Sequence, residues 1–199
     1  MAVWGRLHQT CIFPRRVRRL AALLAGIVPS GRVLDVGCGD GLIDSQLLAL
    51  RPDLQLEGTE VLLRPRPSIP VRQFDGQHLP YGDSSFDSVL FVDVLHHTLD
   101  PMALLREARR VTKRWLIIKD HLLEGWLAGT RLRLMDYVGN AHHGVSLPYN
   151  YWRQHEWQSA ERELALTRSA ESRAMRLYPW PADRIFGAGL HFLARFEVN

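Results

Sequence analysis

The chain has 199 residues, of which 46% are hydrophobic and 23% are charged, and it contains 2 cysteines. A chain of this length buries roughly 70% of its unfolded surface, which predicts one domain over residues 1–199 with a single core. Cys11 and Cys38 are too few for a disulfide framework and lack zinc-site spacing, so a small disulfide-stapled protein is excluded and a cytoplasmic location is favoured. The net charge of +4 does not indicate nucleic acid, because 21 acidic residues are mixed with 25 basic ones.

The first predicted element is an amphipathic helix. Arg15–Arg19 contains four arginines and leads into an apolar run, Leu20 to Val28, which is far shorter than the roughly 20 residues that span a bilayer. A basic stretch before an apolar one also resembles a signal peptide. Apolar residues at intervals of three and four favour a helix of the domain instead. Its arginines are expected to be solvated, with peripheral contact to an anionic membrane surface as the alternative.

Short apolar runs then alternate with helical patterns. Helices are predicted around 43–50 and 101–109, and the strands are predicted at 32–36, 54–61, 71–74, 88–92 and 115–119. This alternation is typical of a parallel sheet with helices on its faces. Three prolines between residues 62 and 70 forbid a regular helix there, so the second crossover is predicted to be an irregular loop. The pattern over 121–180 is ambiguous apart from a helix around 152–163, and 190–198 is predicted to be the last strand.

A glycine-rich loop follows the first strand. The segment Val33–Gly41, VLDVGCGDG, places glycines at 37, 39 and 41, where positive φ and close approach of the backbone to a ligand are needed. A dinucleotide-binding loop requires a further glycine where Leu42 stands, which argues against a nicotinamide-dependent oxidoreductase. The D-x-G-x-G-x-G pattern instead resembles motif I of the class I S-adenosylmethionine-dependent methyltransferases.

Three further segments carry the same resemblance, which covers about residues 30–120. Glu60 ends the second strand, 19 residues after Gly41, where a carboxylate accepts two ribose hydroxyls. Phe74-Asp75-Gly76 resembles the family's acidic adenine-binding motif, and Asp93 follows the fourth strand near the methionine end of the cofactor. Asp35 is implied to orient the loop and approach the cofactor's amino group, with capping of loop amides as an equal alternative. The resemblance thus assigns to the cofactor Asp35, Gly37, Cys38, Gly39, Gly41, Glu60, Phe74, Asp75, Gly76 and Asp93.

The resemblance is to the small-molecule branch related to the ubiquinone and menaquinone methyltransferases. It implies an α/β, Rossmann-like, doubly wound sheet of seven strands in the order 3-2-1-4-5-7-6, mostly parallel with an antiparallel C-terminal strand. Residues 30–120 would be the cofactor-binding core and 121–180 a substrate-covering insertion. The implied activity is transfer of a methyl group from S-adenosyl-L-methionine to a small, partly apolar metabolite. The alternatives are a non-catalytic cofactor- or partner-binding module with the same fold, and an RNA methyltransferase, which only the arginines favour.

Proton removal from the acceptor requires a base, for which histidine is suited near neutral pH. His96 and His97 follow the fourth strand and are expected to be packing residues. Lys119-Asp120-His121 ends the fifth strand at its ligand-facing edge, which makes His121 the candidate base, with an exposed loop histidine as the alternative.

The segment Met135–Tyr151 is predicted to cover the acceptor. No metal is expected, because adjacent histidines seldom point at one ion and no carboxylate or cysteine stands at ligand spacing nearby. The candidate acceptor-lining residues of this segment are Asp136, Asn140, His142, His143, Tyr149 and Tyr151.

Overall fold

The computed structural model describes residues 12–140, 148–187 and 189–199. The helices are α1 (Phe13–Ala25), α2 (Leu42–Leu50), α3 (Pro101–Val111), α4 (Ala128–Asn140), α5 (Gln154–Glu163) and α6 (Ala182–Phe186). The strands are β1 (Gly31–Val36), β2 (Leu54–Glu60), β3 (Val71–Gln73), β4 (Phe86–Val92), β5 (Thr112–His121), β6 (Leu166–Ser172) and β7 (His191–Val198). A short 3-10 helix, Leu95–His97, follows β4.

The seven strands form one sheet in the order β3-β2-β1-β4-β5-β7-β6. The pairs from β3 to β5 are parallel, and β7 is antiparallel to both β5 and β6. This confirms the predicted α/β fold, its strand order and the antiparallel C-terminal strand. The carboxyl ends of β1, β2, β4 and β5 therefore meet at one edge, which is where ligands bind in open α/β sheets.

Helices cover both faces of the sheet because neighbouring residues of each strand point to opposite sides. Leu34 belongs to a core cluster with Leu104 of α3 and Trp157 of α5. Val33 belongs to the opposite cluster, which contains Leu20 of α1 and Leu47 of α2. Each fully buried side chain of this size stabilises the fold by about 1.5–3 kcal/mol relative to an exposed one.

The arginine-rich segment forms α1, as the periodicity predicts. Pro14 lies in its first turn, and Val17, Leu20 and Leu24 are buried against the sheet and α2 while Arg15 and Arg18 are exposed. Within the described residues, no helix combines the length and apolar character needed to cross a membrane.

The region that the sequence left ambiguous contains a helix, α4, and a strand, β6. Burial along β6 alternates only between partly exposed and exposed residues, because β6 is an edge strand with the sequence LTRSAES. Such a strand lacks the apolar face on which a strand prediction depends. The helix predicted around 152–163 is confirmed as α5, and no helix forms between residues 61 and 70.

Candidate active site

The loop after β1 leaves one glycine open to a ligand. Gly37, Gly39 and Gly41 have φ of 77°, 62° and 70°. A Cβ at Gly37 would lie 2.7 Å from the Val94 side chain, and one at Gly41 would lie 2.5 Å from Ile69. A Cβ at Gly39 would meet nothing within 4 Å. The backbone at Gly39 therefore faces free space, as a loop that binds a ligand through its backbone requires.

Glu60 at the end of β2 lies directly against this loop. Its Oε2 accepts a hydrogen bond from the Gly39 amide at 2.8 Å, and its Oε1 accepts one from the Val61 amide at 2.8 Å. These bonds fix the carboxylate beside the open position at Gly39. The structure thus brings together Gly39 and Glu60, the acid to which the family resemblance assigns the ribose.

The third predicted cofactor element follows β3. Asp75 accepts hydrogen bonds from the amides of Gln77 and His78, both at 2.7 Å, and pairs with the His78 ring at 2.9 Å. These hydrogen bonds lower the pKa of Asp75 below its ordinary value, so it is ionised. Its side chain is exposed, whereas Phe74 is packed in the core with Leu79. Asp75 is therefore available to a ligand, while Phe74 serves chiefly as core.

Two buried carboxyls lie beneath the loop. Asp35 on β1 is 3% exposed and Asp44 on α2 is 1% exposed. Asp35 Oδ1 and both oxygens of Asp44 lack a hydrogen-bond donor among the described residues, and the Gly39 amide donates to Glu60 rather than to Asp35. Burial and the neighbouring Asp44 carboxyl raise the pKa of Asp35 well above its usual range, and burial raises the pKa of Asp44 to about 7. The pair therefore holds a proton near neutral pH and can accept hydrogen bonds from a cation.

Cys38 lies between the two glycines of the same loop and is partly buried. A Cβ at Gly58 on β2 would lie 2.3 Å from the Cys38 sulfur, so this side chain packs against the neighbouring strand. Burial and nearby carboxylates raise the pKa of the Cys38 thiol, which excludes a reactive thiolate at neutral pH. Gly76, after Asp75, has φ of 85° and forms the turn beside Val61.

An ion cluster occupies the ends of β4 and β5. Asp93 pairs with Lys119 of β5 and with Arg16 of α1. Burial disfavours the charged carboxylate, but the two cations hold the pKa of Asp93 well below its usual range. Lys119 also lies 3.2 Å from His191 Nδ1 on β7, and His191 Nε2 lies 2.9 Å from the Phe186 carbonyl oxygen. Since Nε2 must donate to that carbonyl, Nδ1 accepts a hydrogen bond from Lys119 and His191 is neutral.

A second polar network borders the first. His96 Nδ1 lies 2.5 Å from Asp120 Oδ1, and His96 Nε2 lies 3.4 Å from Asp136 Oδ2 of α4. Asp136 also accepts the hydroxyl hydrogen bond of Tyr151. Burial opposes the charge on His96, but Asp120 and Asp136 raise its pKa to about 10. His96 is therefore an imidazolium that links α4 to the sheet, a more specific role than the packing expected from the sequence.

His121 is the last residue of β5 and is only 4% exposed, so the alternative of an exposed loop histidine is wrong. Its Nδ1 lies 3.2 Å from His96 Nδ1 and 3.4 Å from Asp120 Oδ1. Burial and the positive charge of His96 lower the pKa of His121. The same two causes lower the pKa of His97 to about 4. His121 and His97 are thus neutral at pH 7, the state that a proton acceptor requires.

The predicted acceptor segment is only partly described. Asp136 and Tyr151 reach the His96 network, and the Tyr149 ring lies 6.1 Å from that of Tyr151. His142, His143 and the side chain of Asn140 lie outside the described residues.

Three residues that the structure brings to the site were not predicted from the sequence. Asp44 stands three residues before the buried Leu47, so helical spacing in the sequence could have placed it on the buried face of α2. Arg16 and His191 lie far from the motifs along the chain, and only the topology brings them to the site. The same topology groups His96, Asp120 and His121 with ligand atoms within 4.8 Å, although the sequence offers no metal-ligand spacing.

Comparison with known proteins identifies the core of the chain. Residues 34–117 match the family model of the methyltransferase domain. This part of the chain resembles a methyltransferase domain. The strand order is the one expected for a class I methyltransferase fold, and the chain resembles the menaquinone-type enzymes. The chain is 38% identical over 104 residues to a demethylmenaquinone methyltransferase of Renibacterium salmoninarum, covering 50% of this chain and 44% of that protein. It is 31% identical over 134 residues to the 27-O-demethylrifamycin SV methyltransferase of Amycolatopsis mediterranei, covering 56% and 49%.

The chain thus spans about half the length of these curated relatives. Solved structures match this chain over nearly its whole length. The PH0226 protein of Pyrococcus horikoshii has a TM-score of 0.68 at 18% identity, covering 97% of this chain and 96% of that one. A SAM-dependent methyltransferase of Aquifex aeolicus has a TM-score of 0.63 at 15% identity, covering 98% of both chains. At these identities the likeness shows the fold alone.

Proposed function

We propose that this protein transfers a methyl group from S-adenosylmethionine to a small, partly apolar acceptor. The observation that carries the proposal is the open backbone at Gly39 beside the fixed carboxylate of Glu60. The names of two relatives support the acceptor class, since one is a demethylmenaquinone methyltransferase and the other a 27-O-demethylrifamycin SV methyltransferase.

The residues present fit the proposed cofactor in three places. Glu60 would accept the ribose hydroxyls, and the exposed Asp75 would accept the adenine amino group. The buried Asp35 and Asp44 carboxyls, which lack protein donors, would face the ammonium group and ionise in its presence. Asp93 is already paired with Lys119 and Arg16, so we assign it to holding these cations at the methionine end of the site.

The cofactor, when bound, supplies a methyl group that is already electrophilic, so the protein must orient an acceptor and remove its proton. We assign the removal of the acceptor's proton to His121, which is neutral and lies at the carboxyl edge of the sheet. Asp120 Oδ1 accepts a hydrogen bond from the His121 backbone amide and lies 3.4 Å from His121 Nδ1 and 2.5 Å from His96 Nδ1, so it lies against both rings. We assign the cover of the acceptor to the 121–180 region; the contact of Asp136 with His96 and its hydrogen bond from Tyr151 support this assignment.

Calorimetric titration with S-adenosylmethionine and S-adenosylhomocysteine tests the cofactor assignment. We expect saturable binding of both, and NAD serves as the control ligand that should not bind. No heat of binding at millimolar cofactor would refute the proposal. Formation of S-adenosylhomocysteine with a panel of phenols and quinols then tests catalysis. Cofactor binding without turnover on any acceptor would favour a non-catalytic module of the same fold.

A further inference from the structure

An exposed apolar surface lies beside the candidate site, on and around α4 and α6. We call it the tryptophan surface. Trp126 and Trp180 are each 79% exposed, and the other members are about half exposed. Soluble monomers seldom expose a contiguous apolar patch of this kind unless it binds something. Its residues are Trp126, Leu127, Leu134, Tyr137, Trp180 and Ile185.

Arg131 holds the two parts of this surface together. Its Nη1 donates to the Trp126 carbonyl at 3.1 Å, and its Nε donates to the Ile185 carbonyl at 2.6 Å. Trp126 and Ile185 are therefore neighbours, and Trp180 stands immediately before α6. The surface is one region of the molecule rather than scattered apolar residues.

Apolar side chains lie on both the buried and the exposed face of α4. Ala128 and Leu132 face the protein interior, and Asp136 follows them on the same face. Leu134 and Tyr137 lie on the opposite, exposed face, one turn apart. An exposed helix face ordinarily carries polar residues. The apolar stripe on the outer face is thus unnecessary for the core and available to a partner.

The charges around the tryptophan surface are mostly positive. Arg133 and Arg184 are exposed beside it. The nearby acids point elsewhere: Glu124 accepts a hydrogen bond from the Gln154 amide, Asp183 accepts one from the Tyr178 amide, and Asp136 is buried. Tryptophan together with arginine on one amphipathic surface is the composition that binds the headgroup region of a membrane.

We propose that the tryptophan surface docks on the anionic face of a lipid bilayer. Apolar rings would enter the headgroup boundary while Arg133 and Arg184 meet lipid phosphates. The inner face of α4 holds Asp136 at His96, so docking through the outer face would hold the candidate site one helix away from the membrane surface. The acceptor would then be a lipid-soluble molecule drawn from the bilayer, a step that rests on the proposed function. This places membrane contact on α4 and α6 rather than on the arginines of α1.

Vesicle flotation tests docking directly, with phosphatidylcholine vesicles that contain or lack phosphatidylglycerol. We expect the whole protein to float with the anionic vesicles and to be released by high salt. The double variant Trp126→Ser/Trp180→Ser should bind at least about tenfold more weakly, and Arg133→Glu/Arg184→Glu at least about fivefold more weakly. Leu50→Ser, at an exposed leucine on α2, is the matched control and should bind like the parent.

Equal flotation of the parent and both double variants would overturn the proposal. So would a concentration-dependent dimer that disappears in Trp126→Ser/Trp180→Ser and shows no flotation, since the surface would then bind a second copy. Far-ultraviolet circular dichroism and thermal melting establish that each variant is folded. Calorimetry with S-adenosylmethionine on the same samples separates the two proposals. If the parent protein binds S-adenosylmethionine but does not float with the vesicles, docking is refuted and the proposed function is not.

Discussion

Replacement of Asp44 by asparagine is expected to stabilise the protein, by an amount that grows as pH rises from about 4 to 7. Asp44 is 1% exposed, lacks a protein donor among the described residues and adjoins the buried Asp35. A carboxylate in this position is disfavoured by burial. Asparagine keeps the shape, carries no charge and has an amide group that can donate to Asp35.

The magnitude follows from proton linkage. The pKa of Asp44 is about 7 in the folded protein against an ordinary value of 3.8. Because the folded pKa is the higher one, the folded protein binds more protons, and stability falls as pH rises from about 4 through 7. Each unit of this difference corresponds to about 1.4 kcal/mol, so the full penalty above pH 7 approaches 4 kcal/mol. Because Asp44 shares its proton with Asp35, the actual penalty is smaller. We therefore expect the free energy of unfolding of Asp44→Asn to exceed that of the parent by about 2–4 kcal/mol at pH 8.

Urea unfolding at pH 5 and pH 8 measures this effect. Asp44→Asn should unfold at higher urea than the parent at both values of pH, with a gain at pH 5 no more than about half of that at pH 8. Asp83→Asn, which removes an exposed partner of Arg110, is the control and should show no such pH dependence. The reasoning fails if Asp44→Asn changes stability equally at both values of pH. If the pair faces the cofactor's ammonium group, the stabilised variant should also bind S-adenosylmethionine more weakly.

Three further predictions concern cofactor affinity, catalysis and the core. Asp75→Ala should weaken S-adenosylmethionine binding roughly 5- to 100-fold by calorimetry, through the lost hydrogen bond; an effect no larger than that of Asp83→Ala would remove Asp75 from the site. His121→Asn should lower turnover about 100- to 10,000-fold while cofactor affinity stays within about twofold, and unchanged turnover would exclude His121 as the base. Leu104→Ala, at a fully buried position of α3, should cost about 2–5 kcal/mol in urea unfolding, and a loss below about 1 kcal/mol would contradict the described packing.

The central strands were predictable because their signals are local, whereas their order in the sheet was implied by the family resemblance. Each central strand is a short apolar run, and each glycine of the loop is visible in nine consecutive residues. The acids at the ends of β2 and β3 could be placed because parallel strands bring their carboxyl ends to one edge. The edge strand β6 was not predictable, since its polar sequence carries no apolar period.

The polar networks could not be predicted, for a different reason. His96 meets Asp136 of α4, 40 positions later in the chain, and Arg16 meets Asp93 across 77 positions. Such contacts depend on how helices lie on the sheet rather than on any spacing in the sequence. Asp44 is the exception, because its three-residue spacing from Leu47 in the sequence already places both side chains on one face of a helix.

The position of β7 has a consequence for how the site is assembled. β7 is the last strand along the chain, yet it lies between β5 and β6, with His191 directly opposite His121. Until β7 is inserted, β5 has no partner on that side and Lys119 lacks the imidazole that accepts its hydrogen bond. During synthesis the glycine loop and its acids can therefore come together before β7 has been made, whereas the contacts of Lys119 and His121 with His191 form only after it. The two halves of the candidate site are thus assembled at different moments.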